Sequence, residues 1–166
     1  MRKTVIIILL VLLPLAIYAQ EDKTSFSISS GTEYLDDFFF NFGVSTISPI
    51  GQNSEIDVKI ALNMKTTKDE TGTTPMFNIP LKIGINFLFP TNENLIFLVG
   101  TGLSPTIRLA GDDKGFLIGP NVKAGVRYKI HPSMSVLLEV CQSLLIGPPD
   151  WMYPSTEMIL GVNFYL

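Results

Sequence analysis

A strict alternation of apolar and polar side chains restricts how this chain can fold more than any other feature of the sequence does. It is clearest in residues 55–64, where every second side chain is apolar. One face carries Ile56, Val58, Ile60, Leu62 and Met64, and the other carries Glu55, Asp57, Lys59, Ala61 and Asn63. Because successive side chains of a strand point to opposite faces, this segment predicts a strand with one apolar and one charged face. A helix would scatter both sets around its circumference.

The same pattern recurs along the chain and predicts seven further strands. They fall near residues 25–29, 38–45, 77–89, 95–109, 116–130, 136–146 and 156–166. Beyond the N-terminus, no segment of the sequence is apolar over the length that a transmembrane helix needs. Any passage through a membrane would therefore have to be made by strands.

The links between these strands alternate in character. Short links that contain proline lie at residues 48–53, 90–94 and 131–133. Between them come links at residues 31–37, 65–75, 110–115 and 147–155, of which two are clearly longer. Transmembrane barrels have short periplasmic turns and longer outer loops. The sequence therefore predicts an all-β fold, a closed up-and-down antiparallel β-barrel of about eight strands that spans a membrane.

The N-terminus has the layout of a secretory signal peptide. Arg2 and Lys3 precede an apolar run, a small residue closes it at Ala19, and polar residues follow. We expect cleavage after Ala19, so that residues 1–19 are the signal peptide and residues 20–166 form one barrel domain. The alternative, an anchoring helix, is disfavoured because the run is short and contains Pro14. The residue directly after the predicted cleavage site is Gln20 and not a cysteine, so a lipid anchor is not expected.

Composition narrows the function classes. Export would remove two of the twelve basic residues and none of the fifteen acidic ones, which leaves an acidic chain. Nucleic-acid binding calls for a basic surface, so no nucleic-acid partner is expected. Cys141 is the only cysteine, which rules out an internal disulfide.

Alternation alone does not say which face lies inside the barrel. A soluble lipocalin-like barrel would hold the apolar face inside, around an apolar ligand. The charged fraction of only 16% favours the membrane arrangement, with Ile56, Val58 and Ile60 facing lipid. The charged residues would then fill the interior as a salt-bridge network, because isolated buried charge is costly. The predicted members are Glu55, Asp57, Lys59, Lys82, Arg108, Lys123, Arg127 and Glu139. The alternative use of these charges is a narrow gated pathway for ions or small solutes.

The C-terminal segment resembles the last strand of outer-membrane barrels, which the insertion machinery reads as alternating apolar positions ending in an aromatic residue. The alternating residues are Met158, Leu160, Val162, Phe164 and Leu166. The chain ends on Leu166 instead of an aromatic residue, which departs from that pattern. With the signal peptide and the strand count, residues 24–166 resemble the small OmpA-transmembrane-domain or OmpX-like class. That resemblance implies a bacterial outer-membrane location, with membrane lipid and the insertion machinery as partners.

Candidates for chemistry are few. His131, the only histidine, falls in a short turn before Pro132. Some eight-stranded barrels modify lipid A, with the histidine of their site on the outer side, whereas His131 is predicted at the opposite end. One histidine and one cysteine do not make a zinc site. We therefore expect no enzyme activity and no cofactor, and keep a lipid-modifying enzyme as an alternative.

The outer loops are the remaining candidates for function, since loops on a rigid scaffold often carry binding. Trp151 and Tyr153 lie in a proline-rich link and are predicted either to contact a surface partner or to anchor in the lipid headgroups. Residues 65–75 are polar and are predicted to form a mobile loop. The favoured hypothesis is a barrel with a structural or surface-interaction role.

Overall fold

The computed structural model describes residues 24–69, 72–109, 115–148 and 151–166. The predicted signal peptide therefore lies outside the described residues. Strands dominate the described ranges, none of which contains a helix long and apolar enough to cross a membrane. In chain order the strands are β1 (Ser25–Leu35), β2 (Asp37–Gly51), β3 (Ser54–Asp69), β4 (Gly72–Pro90), β5 (Leu95–Leu103), β6 (Thr106–Arg108), β7 (Gly115–Leu117), β8 (Pro120–His131), β9 (Met134–Leu145) and β10 (Tyr153–Tyr165).

The strands form one closed antiparallel sheet. Pairing runs in the order β1, β2, β3, β4, β5, β8, β9 and β10, and β10 returns to pair with the whole of β1. Both β5 and β6 pair with β4, and β6 pairs with β7, so β5–β6 and β7–β8 each make one wall strand with a short break. The ten segments therefore build an eight-stranded barrel, which confirms the predicted fold class.

The breaks have local causes. Pro105 has no backbone N–H to donate to a ladder, although its carbonyl still accepts from Leu81 N at 2.8 Å. At the other break, Gly119 lies directly against β9. A Cβ placed on Gly119 would come within 2.7 Å of the Leu144 carbonyl carbon and 2.9 Å of the Leu145 Cα. Only glycine allows the two backbones to approach this closely.

The apolar face points outwards and the polar face inwards. Ile56 is 37% exposed, whereas its neighbour Glu55 is 4% exposed. The same alternation runs along β10, where even-numbered residues are largely exposed and odd-numbered residues are largely buried. This order is the reverse of a soluble barrel, because the solvent for the outer wall is hydrocarbon. The lipocalin-like alternative, with an apolar interior, is therefore wrong.

Both described chain ends lie at one end of the barrel, which we call the terminal end, since Ser25 pairs with Tyr165. The turns from β2 to β3, from β4 to β5 and from β8 to β9 are also at this end. The other four connections lie at the opposite end, which we call the loop end. Exposed aromatic side chains occur near both ends, as expected where a barrel wall meets lipid headgroups.

Two connections at the loop end differ from the sequence prediction. The first link is a tight turn at Asp36, which has a φ of 59°, so β1 and β2 extend through most of residues 31–37. Aspartate tolerates this left-handed conformation better than most residues. Within residues 65–75, predicted as a mobile loop, residues 65–69 instead continue β3 and residues 72–75 continue β4, up to the pair Asp69 and Gly72. Threonine-rich sequence favours strand, and pairing satisfies backbone groups that a loop leaves to water.

Candidate functional site: the barrel interior and the loop end

The interior contains three groups of ion pairs, of which the first joins Glu55 and Arg127. Arg127 donates from Nη1 to Glu55 Oε2 at 3.0 Å and from Nη2 to Glu55 Oε1 at 2.7 Å. Asn86 Nδ2 donates to the same carboxylate at 2.9 Å. Two parallel N–H···O bonds are the strongest geometry that arginine makes with a carboxylate. This group locks β3 to β8 across the barrel.

The second group surrounds Lys123. Its ammonium forms ion pairs with Asp57 and with Glu139, the latter at 3.3 Å. All three side chains are largely buried, and they come from β3, β8 and β9. One lysine therefore neutralises part of the charge on two acids from different strands.

The third group is built around Glu157, which is buried. Lys59 Nζ lies 3.0 Å from Glu157 Oε1, and Lys82 Nζ lies 2.8 Å from Glu157 Oε2. Asn41 Nδ2 also donates to Oε1, at 2.7 Å. This carboxylate therefore joins side chains of β2, β3 and β4 to β10.

Sequence reasoning missed Glu157 and the residue opposite it, Glu33. The two are direct cross-strand partners on β10 and β1, and both point inwards. Unlike Glu157, Glu33 is held by neutral donors, the Asn63 amide and the Ser155 hydroxyl. The available signal was the parity of the last strand, because Glu157 shares the inward face with Gly161 and Asn163.

Arg108 is the predicted charged residue that the structure does not bring into an ion pair. Among the described residues, no carboxylate lies within ion-pair distance of its guanidinium. Its guanidinium carbon instead lies 5.0 Å from the centre of the Tyr153 ring. Arg108 therefore lies near the loop end, apart from the other seven predicted residues.

An apolar cluster closes the barrel above these groups at the loop end. Its five buried members, which we call the outer plug, are Leu35, Phe39, Leu117, Leu145 and Tyr153. Tyr153 is 2% exposed. This corrects its grouping with Trp151 as an outer contact, because Tyr153 begins β10 on the inward face.

Trp151, in contrast, lies outside the barrel interior. It is 66% exposed and has a positive φ of 65°. Its backbone N–H donates to the Gly147 carbonyl at 2.9 Å, which fixes the turn. Its side chain is therefore free to meet lipid headgroups or another molecule.

The residues considered for catalysis lie apart from each other. His131 is the exposed last residue of β8, with Nδ1 2.8 Å from the Ser133 hydroxyl. Cys141 is buried in the interior, 3.6 Å from Lys82 Nζ. In the part of the chain that the structure describes, no three histidine, cysteine or acidic side chains are grouped to hold a metal ion.

The predicted insertion signal occupies the outward face of β10. Met158 and Leu160 are exposed on the wall, and Leu166 follows the strand at the terminal end. Phe164 is also on this face, beside the first residues of β1. The alternating positions of the signal thus form one lipid-facing row.

Taken together, an outward apolar wall, a charged interior and paired chain ends define a small transmembrane β-barrel of the outer-membrane class. Solved structures share this fold at low sequence identity. The Neisserial surface protein NspA is similar with a TM-score of 0.68 and 15% identity, covering 86% of this chain and 96% of that one. The N-terminal barrel domain of Pseudomonas aeruginosa OprF has a TM-score of 0.59 at 14% identity, and the match covers 86% of this chain and 97% of that one. Ail, the attachment invasion locus protein of Yersinia pestis, has a TM-score of 0.54 at 10% identity, and the match covers 87% of this chain and 97% of that one.

These likenesses establish the fold, which is that of the OmpA-transmembrane-domain and OmpX-like barrels. The sequence itself matches no protein-family model and no curated protein. Function has therefore to be argued from the residues of this chain.

Proposed function

We propose that this chain is exported to a bacterial outer membrane, where it is a non-enzymatic barrel with a closed interior and an outward-facing loop end. The signal-peptide layout of residues 1–19 supports export. The lipid-facing wall supports residence in a bilayer, and the position of both described chain ends at the terminal end supports a periplasmic location for that end. The row on β10 is the part that the insertion machinery would read.

The closed interior is the observation that carries a structural role. A solute entering at the loop end meets the outer plug, and beyond it the ion pairs of Glu157, Lys123 and Arg127. An eight-stranded barrel has an interior just wide enough to be filled by side chains. Passage would require apolar side chains to separate and buried ion pairs to break. This favours a filled scaffold over the narrow-pathway alternative.

Single-channel recording tests this closure. Purified protein is reconstituted into a planar bilayer, and its folding is checked by the faster gel migration of the unboiled sample. We expect no conductance steps from the wild type. The variant Leu117→Ala removes bulk from the outer plug and leaves every ion pair intact. Its recording, compared with that of the wild type, shows how much the outer plug contributes to closure. Steady steps from the wild-type protein would support a pathway and refute the closed scaffold.

A surface-interaction role is favoured by the hairpin at the loop end. The pairing of β3 with β2 ends at Met64, and that of β4 with β6 ends at Asn78, yet β3 and β4 stay paired up to Asp69 and Gly72. The hairpin of residues 65–77 thus extends past the ladders of its neighbours. Ail, whose name describes attachment and invasion, has a similar fold.

Shortening this hairpin tests the role. Residues 66–75 are replaced by a two-residue Asn-Gly turn, and the control is Lys129→Gln, which changes an exposed residue at the terminal end. Intact cells that display each variant are compared for adhesion to host cells and to each other. We expect the shortened hairpin to lose adhesion while keeping its heat-shifted gel band. Unchanged adhesion would leave only the structural role.

The enzyme alternative has its own test. His131 ends β8 at the terminal end, and among the described residues only Ser133 is hydrogen-bonded to its ring. We expect His131→Ala to leave the lipid composition of the host membrane as it is with wild-type protein. A change in lipid A structure that depends on wild-type protein and is lost in this variant would overturn the non-enzymatic proposal.

A further inference from the structure

Three neighbouring polar side chains on the inner wall have atoms without hydrogen-bond partners. Asn78 is 1% exposed and Thr106 is 2% exposed. The amide nitrogen and oxygen of Asn78, the hydroxyl of Thr106 and Nε of Arg108 are buried and unpartnered. Buried polar groups in folded proteins are nearly always hydrogen-bonded, so each of these needs an explanation.

These side chains are adjacent on one patch of wall. Asn78 on β4 and Arg108 on β6 are direct cross-strand partners. Thr106 lies two residues before Arg108 on the same inward face. Side chains in such positions are about 5–8 Å apart at their Cβ atoms, so one small group can reach all three.

The charge at this patch is also unbalanced. Each of Lys59, Lys82, Lys123 and Arg127 has a carboxylate within ion-pair distance. Arg108 alone among these interior cations has none in the described ranges. Arg108 is partly buried, and a charge that is withdrawn from water without a partner is costly, so a patch rich in buried donors attracts an acceptor.

We propose that Arg108, Asn78 and Thr106 form a binding site for a small oxyanion, namely a carboxylate, phosphate or sulfate group. Arg108 Nε, Asn78 Nδ2 and the Thr106 hydroxyl are the donors. The Tyr153 ring, 5.0 Å from the guanidinium carbon, covers one side of Arg108 and leaves its donor edge available. The bound anion would give Arg108 the negatively charged partner that Lys59, Lys82, Lys123 and Arg127 have in carboxylates of the protein.

The surroundings limit the ligand. All three side chains face the interior, so a lipid headgroup on the outer wall does not reach them. Leu117 of the outer plug is the cross-strand partner of Thr106 and bounds the site on the β7 side. The ligand is therefore a small soluble anion, and binding is separate from the adhesive role of the hairpin.

Titration of the refolded protein with inorganic phosphate tests the site. Isotope-labelled protein in maltoside micelles, which contain no phosphate, is followed by NMR at constant ionic strength. We expect saturable shifts of the Arg108 Nε–H and Asn78 side-chain amide signals with phosphate or sulfate, and not with chloride. Thr106→Val should weaken binding several-fold. Arg108→Gln should weaken it by at least about tenfold, since bonds to charged groups are the stronger ones.

Lys129→Gln is the matched control for Arg108→Gln. It removes the same charge from an exposed position at the terminal end, so phosphate should bind it as it binds the wild type. Wild-type signals that do not move, or that move equally with chloride, would overturn the proposal and assign the unpartnered atoms to water. Unweakened binding by Arg108→Gln would overturn it as well.

Discussion

Replacing Glu157 by glutamine tests the view that ion pairs hold the interior together. Glu157 accepts from Lys82 at 2.8 Å, from Lys59 at 3.0 Å and from Asn41 at 2.7 Å, all in a buried setting. The variant keeps the shape of the side chain but leaves two buried ammonium groups, those of Lys59 and Lys82, without a carboxylate of the described residues within ion-pair distance. Removing one partner of a buried ion pair costs about 3–5 kcal/mol. We expect a loss of about 4 kcal/mol in the free energy of unfolding, because two cations lose the same partner.

Glu33→Gln is the matched control. Glu33 lies directly opposite Glu157 and is equally buried, but its donors are the neutral side chains Asn63 and Ser155. Because no cation depends on Glu33 for an ion pair, the loss should be about 1 kcal/mol. Glu157→Gln and Glu33→Gln thus alter neighbouring positions in the barrel, and the two carboxylates differ in whether their hydrogen-bond donors are charged or neutral.

Equilibrium urea unfolding in lipid vesicles supplies the measurement. The folded fraction is read from the faster-migrating band of the unboiled sample. The double variant Glu157→Gln with Lys82→Gln should recover part of the loss, since it removes one of the two stranded charges. If both single variants cost the same, or if Glu157→Gln costs less than about 1 kcal/mol, the ion pairs do not hold the interior together.

Three further predictions test the packing and the last strand. Tyr153→Ala should destabilise the barrel by about 3 kcal/mol through the cavity it leaves in the outer plug, as measured by the same unfolding assay. Gly119→Ala should cost about 1–3 kcal/mol because its Cβ would lie 2.7 Å from the Leu144 carbonyl carbon, whereas Gly115→Ala, whose Cβ would meet its nearest atom at 3.7 Å, should refold like the wild type. Leu166→Asp should lower the amount of protein recovered from the outer membrane of an expressing cell and Leu166→Phe should not, and equal amounts would show that the last residue is no part of the insertion signal.

The alternation of side chains was sufficient to predict the fold class. Period two assigned nearly every inward and outward position, as residues 55–64 illustrate, because the pleat of a strand leaves no other arrangement. Low overall charge then indicated which face met lipid. Strand ends were harder to predict, since residues 65–69 and 72–75 are polar enough for a loop but continue the β3–β4 ladder. Residues 65–69 and 72–75 are strands because they pair with each other, and their own composition does not indicate this pairing.

The interior was predicted less completely than the wall. Glu157 stands alone among uncharged inward residues of the last strand, and only closure of the sheet brings it to Lys59 and Lys82. Tyr153 follows prolines that are typical of a loop, yet it is the first residue of β10. Arg108 was expected to join the other charges, and nothing in its own strand indicates that no carboxylate of the described ranges lies within ion-pair distance of it. Such pairings depend on strand tilt and on contacts between distant segments.

The pairing of β10 with β1 has a consequence for the order of events during assembly. Asn41 and Glu157 are hydrogen-bonded across 116 residues of sequence, and Glu33 and Ser155 across 122. Contacts of such long range form late and slowly, because most of the chain has to be ordered before they can be made. Lys59 and Lys82 therefore stay without their partner Glu157 until β10 docks, whereas the ion pair of Glu55 and Arg127 joins β3 to β8 and does not involve β10. Closure of the sheet by β10 and neutralisation of Lys59 and Lys82 are thus one event.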